Sequence, residues 1–259
     1  MRLAGFSPFV ILMLLWLPGS LMAHQTGGES QKREADTDSG PRLASVNAAV
    51  AVAGDNKLIF GKNADRSVPI ASVTKVMTAL VVLESGEPLD EWLTFHERHT
   101  PAAANAYSRI RIDSEMRRKD VLRIALMSSE NFAAYTLARN HPGGFDAFIE
   151  AMNAKAAALG MTGTRFVDPT GLSLENLSTA ADLVKLVNAA ADYPEIREYS
   201  TTGYFRGQFR QPRYSLSFGN TNALVHRDSW GVALSKTGYL SEAGRCLVMI
   251  SKMNGTEGV

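Results

Sequence analysis

Three short runs of residues carry groups that could do nucleophilic chemistry: Ser72-Val73-Thr74-Lys75, Ser129-Glu130-Asn131 and Lys236-Thr237-Gly238. Ser72 offers a hydroxyl. Lys75, three residues on, shares its face of a helix, with the two Cβ atoms about 5–6 Å apart. A lysine takes a serine proton only when it is itself neutral. Burial and a second cation, for which Lys236 is available, would push its pKa down. Ser129 could pass a proton toward a leaving amine. Asn131 could hold a substrate amide, and Lys236 and Thr237 suit a substrate carboxylate. Together these residues support acyl transfer by a serine with no catalytic histidine. Any one run is a weak signal; all three in this order, 57 and then 107 residues apart, are specific.

The elements around the motifs can be read from pattern. Ser45 to Ala53, the turn Gly54-Asp55-Asn56, and Lys57-Leu58-Ile59-Phe60 read as a hairpin. Pro69-Ile70-Ala71 then leads into a helix from about Ser72. Val73, Val76, Met77, Leu80, Val81 and Leu83 make it apolar on most faces, and Ser85-Gly86 ends it. Ser72 is thus expected in the first turn, where backbone N–H groups and the helix dipole favour developing negative charge. From about Asp113 to Ala191 the pattern is mainly helical. A segment over Asp120 to Met127 precedes the second motif and another over Phe132 to Leu137 follows it. His141-Pro142-Gly143-Gly144 is a break. Phe145 to Leu159 is a helix with Phe148, Met152 and Ala156 on one face. Thr179-x-x-Asp182 resembles a capping box opening a helix over Leu183 to Ala191, and Pro194 marks the next break. Strand texture returns over Gly203 to Phe209, Val232 to Thr237 and Arg245 to Ser251. Strand-like ends flank a helical middle of about 96–200, so a sheet with the site at its edge, and a helical lobe supplying Ser129 and Asn131, satisfies the order.

At 259 residues and 45% hydrophobic, the chain has enough apolar surface for a packed core over 43–259. The net charge is +1 with no long basic run, which argues against nucleic acid. Six basic residues between Arg109 and Arg123 are interleaved with Ile, Asp, Glu and Leu and read as a solvated face. Residues 1–23 read as an export signal: Arg2, the apolar run Phe9 to Leu17, and small residues before a cut after Ala23. That run is short for a membrane span of about 20 residues, so the mature chain is expected to carry no stable span; the alternative is an uncleaved membrane anchor, since Leu21, third before the cut, is larger than a cleavage site prefers. Residues 24–42 contain no large apolar residue and read as a flexible linker. Cys246 is the only cysteine, which excludes an internal disulfide. Its setting, Arg245-Cys246-Leu247-Val248-Met249-Ile250, is that of a small residue on a buried strand.

At this point the chain resembles the low-molecular-mass penicillin-binding proteins, the serine D-alanyl-D-alanine carboxypeptidases and endopeptidases, and among them the penicillin-binding protein 7 type. The resemblance rests on Pro69-Ile70-Ala71-Ser72-Val73-Thr74-Lys75, Leu126-Met127-Ser128-Ser129-Glu130-Asn131, Asp168-Pro169-Thr170-Gly171-Leu172, Ser235-Lys236-Thr237-Gly238-Tyr239 and Ala243-Gly244-Arg245-Cys246. It implies a mixed α/β fold of the beta-lactamase/transpeptidase type, an antiparallel sheet flanked by helices plus a helical lobe. It implies that Ser72 is acylated with Lys75 as its base, and that Ser129, Asn131, Lys236, Thr237 and Gly238 complete the pocket. The backbone N–H groups of Ser72 and Tyr239 would form the oxyanion hole. Arg245 either assists a substrate carboxylate or is a surface or structural arginine. The resemblance further implies peptidoglycan stem peptides as substrate, a periplasmic location, no metal or cofactor, and covalent inhibition by beta-lactams. Relatives of this type continue past the Cys246 strand with an apolar strand and a helix. Asn254-Gly255-Thr256-Glu257-Gly258-Val259 does not read as a strand, so the sheet is expected to lack its last strand and covering helix, leaving an open edge and lower stability.

Competing chemistries are a beta-lactamase, an inactive peptidoglycan- or partner-binding protein, and a metallopeptidase. A beta-lactamase needs a carboxylate to activate the deacylating water, for which Asp168 and Glu175 lie in the right stretch; Asp168, before Pro169 and Gly171, reads more simply as a turn residue. His96-Glu97-Arg98-His99 has two histidines three apart, not the four of the zinc motif.

Overall fold

The structure, a computed structural model, describes residues 43–96, 108–253 and 256–259. The expected export signal and linker, and Glu97, Arg98 and His99, lie outside the described residues. The chain divides into units Met1–Val46 and Asn47–Val259. Of the first, only 43–46 are described, and these carry no helix or strand.

The second unit begins with the expected hairpin. Strand β1 (Ala48–Ala51) pairs antiparallel with β2 (Leu58–Lys62). Asp55 Oδ1 accepts the Lys57 N–H at 2.8 Å across the turn. After the two-residue β3 (Val68–Pro69), a 3-10 turn over Ala71–Thr74 feeds α1 (Lys75–Glu84). The α-helical ladder therefore starts three residues later than the apolar pattern predicts, and Ser72 sits in the tighter turn ahead of it. Val76, Met77, Ala79, Leu80, Val81 and Val82 are all buried, so α1 is a central strut of the core. Strand β4 (Trp92–Thr94) pairs with β5 (Glu115–Arg117), which runs directly into α2 (Arg118–Met127). Then come α3 (Asn131–Arg139), α4 (Gly144–Ala158), β6 (Leu177–Ser178, paired with β3), α5 (Ala180–Ala191) and α6 (Pro194–Thr201). The hairpin of β7 (Tyr204–Phe209) and β8 (Tyr214–Gly219) follows, and then β9 (Val232–Leu240), β10 (Gly244–Met253) and β11 (Thr256–Gly258).

Two helix starts show how local chemistry sets the boundaries. Thr179 Oγ1 accepts the Asp182 N–H at 3.0 Å, the forward half of a capping box. The Asp182 carboxylate turns elsewhere, accepting from Gly163 N at 2.8 Å and Thr164 Oγ1 at 2.9 Å. Pro194 does not interrupt the chain as a break; it occupies the first turn of α6, where a missing N–H is no loss.

The expectation that the sheet lacks its last strand is corrected. Thr256–Gly258 is a strand, paired antiparallel with β10 through Ser251–Gly258, Lys252–Glu257 and Met253–Thr256. Its other side meets β1: Val52 bridges Gly258, Ala51 N donates to Val259 O at 3.1 Å, Val259 N donates back to Ala51 O at 2.9 Å, and Ala53 N donates to Glu257 O at 2.9 Å. The strands thus run β2-β1-β11-β10-β9, all antiparallel. Thr-Glu-Gly has little strand character of its own. The backbone donors and acceptors of β1 and β10 on either side impose it, since β pairing depends on context more than on propensity.

The basic stretch 109–123 is also corrected. Arg118 is only 2% exposed, with its guanidinium bonded to Glu91 and 3.6 Å from Glu87. The sequence pattern shows charge interleaving but not which residue faces the acidic connection 87–91. Along β10 burial alternates: Val248 and Ile250 are buried, Leu247 and Arg245 are exposed, and Cys246 is partly buried, its thiol pushed up to about 11 by burial.

Candidate active site

The site lies where the 3-10 turn, the α2–α3 connection and β9 converge. Lys75 is 1% exposed, and its Nζ donates to three acceptors: Ser72 Oγ at 3.0 Å, Asn131 Oδ1 at 2.7 Å and the Thr170 carbonyl at 2.6 Å. Two of these, an amide oxygen and a backbone carbonyl, can only accept. A neutral Lys75 therefore spends both protons on Asn131 and Thr170, and its lone pair points at the Ser72 hydroxyl. That is the geometry of a base aimed at a nucleophile. Burial lowers the Lys75 pKa to about 7, against the opposing pull of Asp168 and Glu130. The sequence suggests Lys236 as a second cause; in the structure burial dominates at Lys75. The repulsion between the two ammonium groups is expressed on Lys236, which burial first and Lys75 second hold well below the ordinary lysine value.

Ser129 sits on the tight connection between α2 and α3, and Asn131 opens α3. Ser129 adopts a left-handed backbone with φ +59°, and Glu130 caps α3 by accepting the Phe132 N–H at 3.1 Å. This reversal places Asn131 on the Lys75 side and Ser129 on the Lys236 side. Lys236 Nζ donates to Ser129 Oγ at 2.9 Å and to the Thr237 carbonyl at 2.8 Å. Lys236 is itself 1% exposed and its bonds tie the second and third motifs together; of the two residues that suit a carboxylate by type, half-buried Thr237 is the more open. Ala71, just before the nucleophile, also has a left-handed φ of +48°. Two non-glycine residues in this region, one in each turn, are the sort of stored strain that clusters at functional sites.

Close backbone packing sets the turn. Gly238 on β9 faces it so closely that a Cβ there would lie 3.0 Å from Ser72 N and 3.1 Å from Ala71 Cβ. On the other side, a Cβ on Gly171 would lie 1.9 Å from the Ala71 carbonyl oxygen, and Gly171 has φ +80°. The loop carrying Gly171 is braced by Asp168, whose Oδ1 accepts from Gly171 N at 2.8 Å and Oδ2 from Ser173 N at 2.8 Å. Asn176 ties it to the nucleophile turn, donating to Thr74 Oγ1 at 3.1 Å and to the Asp168 carbonyl at 2.8 Å. Asp168 is thus a turn organiser, its oxygens accepting from three backbone N–H groups and the Thr170 hydroxyl. Glu175 points to solvent beside Arg165, 3.9 Å away. Asp168 is taken up by its own loop and Glu175 faces solvent, and neither hydrogen-bonds Ser72.

Tyr239 follows Gly238 on β9 and is 56% exposed, and Arg245 stands opposite it on β10, also exposed. His96 is exposed and 3.6 Å from Asp113. Among the described residues no group of three or more His, Cys, Asp or Glu could hold a metal ion, and no helix is long and apolar enough to cross a membrane. Sequence reasoning missed the Thr170 carbonyl, the packing role of Gly171, the Asn176 brace, and Thr221, whose hydroxyl is 2.6 Å from that of Thr237. The Asp168-Pro169-Thr170-Gly171 block was visible as part of a resemblance, but its physical role was not. Nothing in the sequence around Thr221 distinguishes it.

Comparison with known proteins agrees with this geometry. The profile of a family described as D-alanyl-D-alanine carboxypeptidase matches residues 34–258. The chain is 51% identical over 220 residues to a D-alanyl-D-alanine endopeptidase of Escherichia coli (strain K12), covering 85% of this chain and 71% of that protein. It is 50% identical over 212 residues to a D-alanyl-D-alanine endopeptidase of Pseudomonas aeruginosa, covering 82% and 68%. Among solved structures, the Streptomyces K15 DD-transpeptidase superposes with a TM-score of 0.76 at 27% identity, covering 84% of this chain and 88% of that one.

Proposed function

Because the chain belongs to the D-alanyl-D-alanine carboxypeptidase family, we propose that it is a serine hydrolase of peptidoglycan stem peptides, acting through an acyl-enzyme on Ser72. Cleavage of cross-links is favoured over removal of a terminal D-alanine, because the relatives at 51% and 50% identity are both D-alanyl-D-alanine endopeptidases. The observation that carries the reading is the three-acceptor setting of Lys75, which aims a neutral amine at the Ser72 hydroxyl.

In the proposed reaction Lys75 takes the Ser72 proton as Oγ attacks the carbonyl carbon of a D-alanyl peptide bond. The backbone N–H groups of Ser72 and Tyr239 stabilise the oxyanion, an effect for which loss of one donor typically costs about 10²–10³ in rate. The tetrahedral adduct collapses, the C–N bond breaks, and the leaving amine takes the proton of Ser129, which is replaced by the one Lys75 received, so Lys75 is neutral again. Lys236 holds Ser129 for that transfer. Asn131 orients Lys75 and the substrate amide, and Thr237, with Gly238 on the same strand, receives the carboxylate next to the scissile bond. Water, deprotonated through Lys75, then cleaves the ester and returns the proton to Ser72. No step of this scheme calls on a metal or cofactor.

Beta-lactams, whose strained amide presents the same carbonyl and carboxylate, would acylate Ser72 and stay. Such a substrate places the protein outside the cytoplasmic membrane, consistent with the leader expected over residues 1–23. Incubation of the purified chain with cross-linked muropeptide dimers, beside the Ser72→Ala variant, tests the reading. Monomers released only by the unmutated chain support it. Release of terminal D-alanine alone makes the protein a carboxypeptidase, and no product from a folded chain supports the binding-protein alternative.

A further inference from the structure

Of the two residues that suit a carboxylate, Thr237 is the more open, and the Thr221 side chain reaches its hydroxyl. Thr221 Oγ1 lies 2.6 Å from Thr237 Oγ1, short for a hydroxyl pair, and 3.5 Å from the Met127 carbonyl, which is long. The Thr221 N–H donates to that same Met127 carbonyl at 2.9 Å. Thr221 thus spans the end of α2, two residues before Ser129, and the strand that carries Lys236 and Thr237.

Each hydroxyl has one proton, so the pair has two arrangements. In one, Thr237 donates to Thr221 and Thr221 donates to Met127 O. Thr237 then presents only lone pairs to the cleft, which repel an anion. In the other, Thr221 donates to Thr237 and the Thr237 proton points outward, ready for a carboxylate. Reversal leaves no buried acceptor unpaired, because Met127 O keeps the Thr221 N–H. It gives up only the 3.5 Å contact.

Building on the carboxylate role assigned above to Thr237, we propose that Thr221 is a positioning residue for the anion subsite. Its hydroxyl directs the Thr237 proton into the cleft and so makes the site select substrates with a free carboxylate beside the scissile bond. In the absence of the Thr221 hydroxyl, Thr237 loses its polarising donor and its fixed direction.

The test is the second-order rate of acylation by benzylpenicillin and by its methyl ester, in which the carboxylate is masked. The unmutated chain, Thr221→Val, Thr221→Ser and Thr237→Val are compared. The unmutated chain is expected to prefer the acid. Thr221→Val, similar in shape but without the hydroxyl, is expected to slow acylation by the acid about threefold to tenfold, the worth of one hydrogen bond. It leaves the ester within about twofold, and Thr221→Ser restores the acid rate. Equal slowing of acid and ester by Thr221→Val, no slowing of the acid, or no rescue by serine would overturn the role of Thr221, even where Thr237→Val abolishes the preference. An unmutated chain with no preference for the acid would instead overturn the carboxylate site itself, and this inference with it.

Discussion

Replacing Asn131 by Asp probes the proton-transfer geometry most sharply. Asn131 Oδ1 sits 2.7 Å from Lys75 Nζ, so the change adds a negative charge at hydrogen-bond distance from the amine with almost no change in shape. A nearby opposite charge favours the charged form of a group by about 1–3 pKa units. Lys75 starts from about 7, so at pH 7 about half of it is neutral. A rise of about two units would leave about one molecule in a hundred with a neutral lysine, a loss of about fifty-fold in acylation rate. The loss is conditional. Acylation by the unmutated chain rises with pH through about 7, because Lys75 must shed its proton, and then levels off. In Asn131→Asp the same rise is displaced upward, so the two rates converge within a few fold by about pH 9.5. The assay is the rate of penicillin acylation across pH 6 to 9.5 for both proteins. A variant slowed equally at every pH would mean that Asn131 acts on substrate position alone. An unmutated profile with no inflection near 7 would contradict the depressed lysine.

Other expectations concern the frame that holds the turn. Gly171→Ala would drive a Cβ into the Ala71 carbonyl at a left-handed backbone position. It should lower stability by about 1–3 kcal/mol or more and slow acylation, read by thermal melting and penicillin labelling. A variant with unchanged labelling would show that the loop does not set the nucleophile. Deleting residues 256–259 removes the bonds that Ala51 and Ala53 make to Val259 and Glu257, along with the Arg197–Glu257 pair. A loss of about 2–4 kcal/mol is expected, and an unchanged melt would mean that β11 contributes nothing to the sheet. Thr179→Ala should cost about 1 kcal/mol by removing the α5 cap, and a chemical-denaturation midpoint that does not move would refute that assignment.

Much of the site was legible because its chemistry is concentrated in side chains of diagnostic type. Ser72, Lys75, Ser129, Asn131, Lys236 and Thr237 could be named before any coordinates, and the structure draws them into two linked groups around Nζ atoms. The central helix, the first hairpin and the helix carrying Phe148, Met152 and Ala156 were legible from periodicity. The parts that stayed hidden were set by backbone and by context. The Thr170 carbonyl, the third partner of Lys75, belongs to the main chain and leaves no trace in residue type. Gly171 matters for a clash it avoids 100 residues away in sequence, on Ala71. Strand β11 exists because β1 and β10 lie on either side of it, and Pro194 opens a helix because Glu195 to Thr201 complete two turns after it. Arg118 looked like one of six solvated cations until the acidic connection 87–91 was folded against it.

The most direct test of the central claim is the intact mass of the purified chain after incubation with a penicillin, beside Ser72→Ala. A stable adduct of one penicillin on the unmutated chain, absent from the variant, is the predicted result. It would show that Ser72, its neutral lysine and the oxyanion donors assemble as a working nucleophile. A folded chain that takes no adduct, or a Ser72→Ala variant that still takes one, would contradict the account.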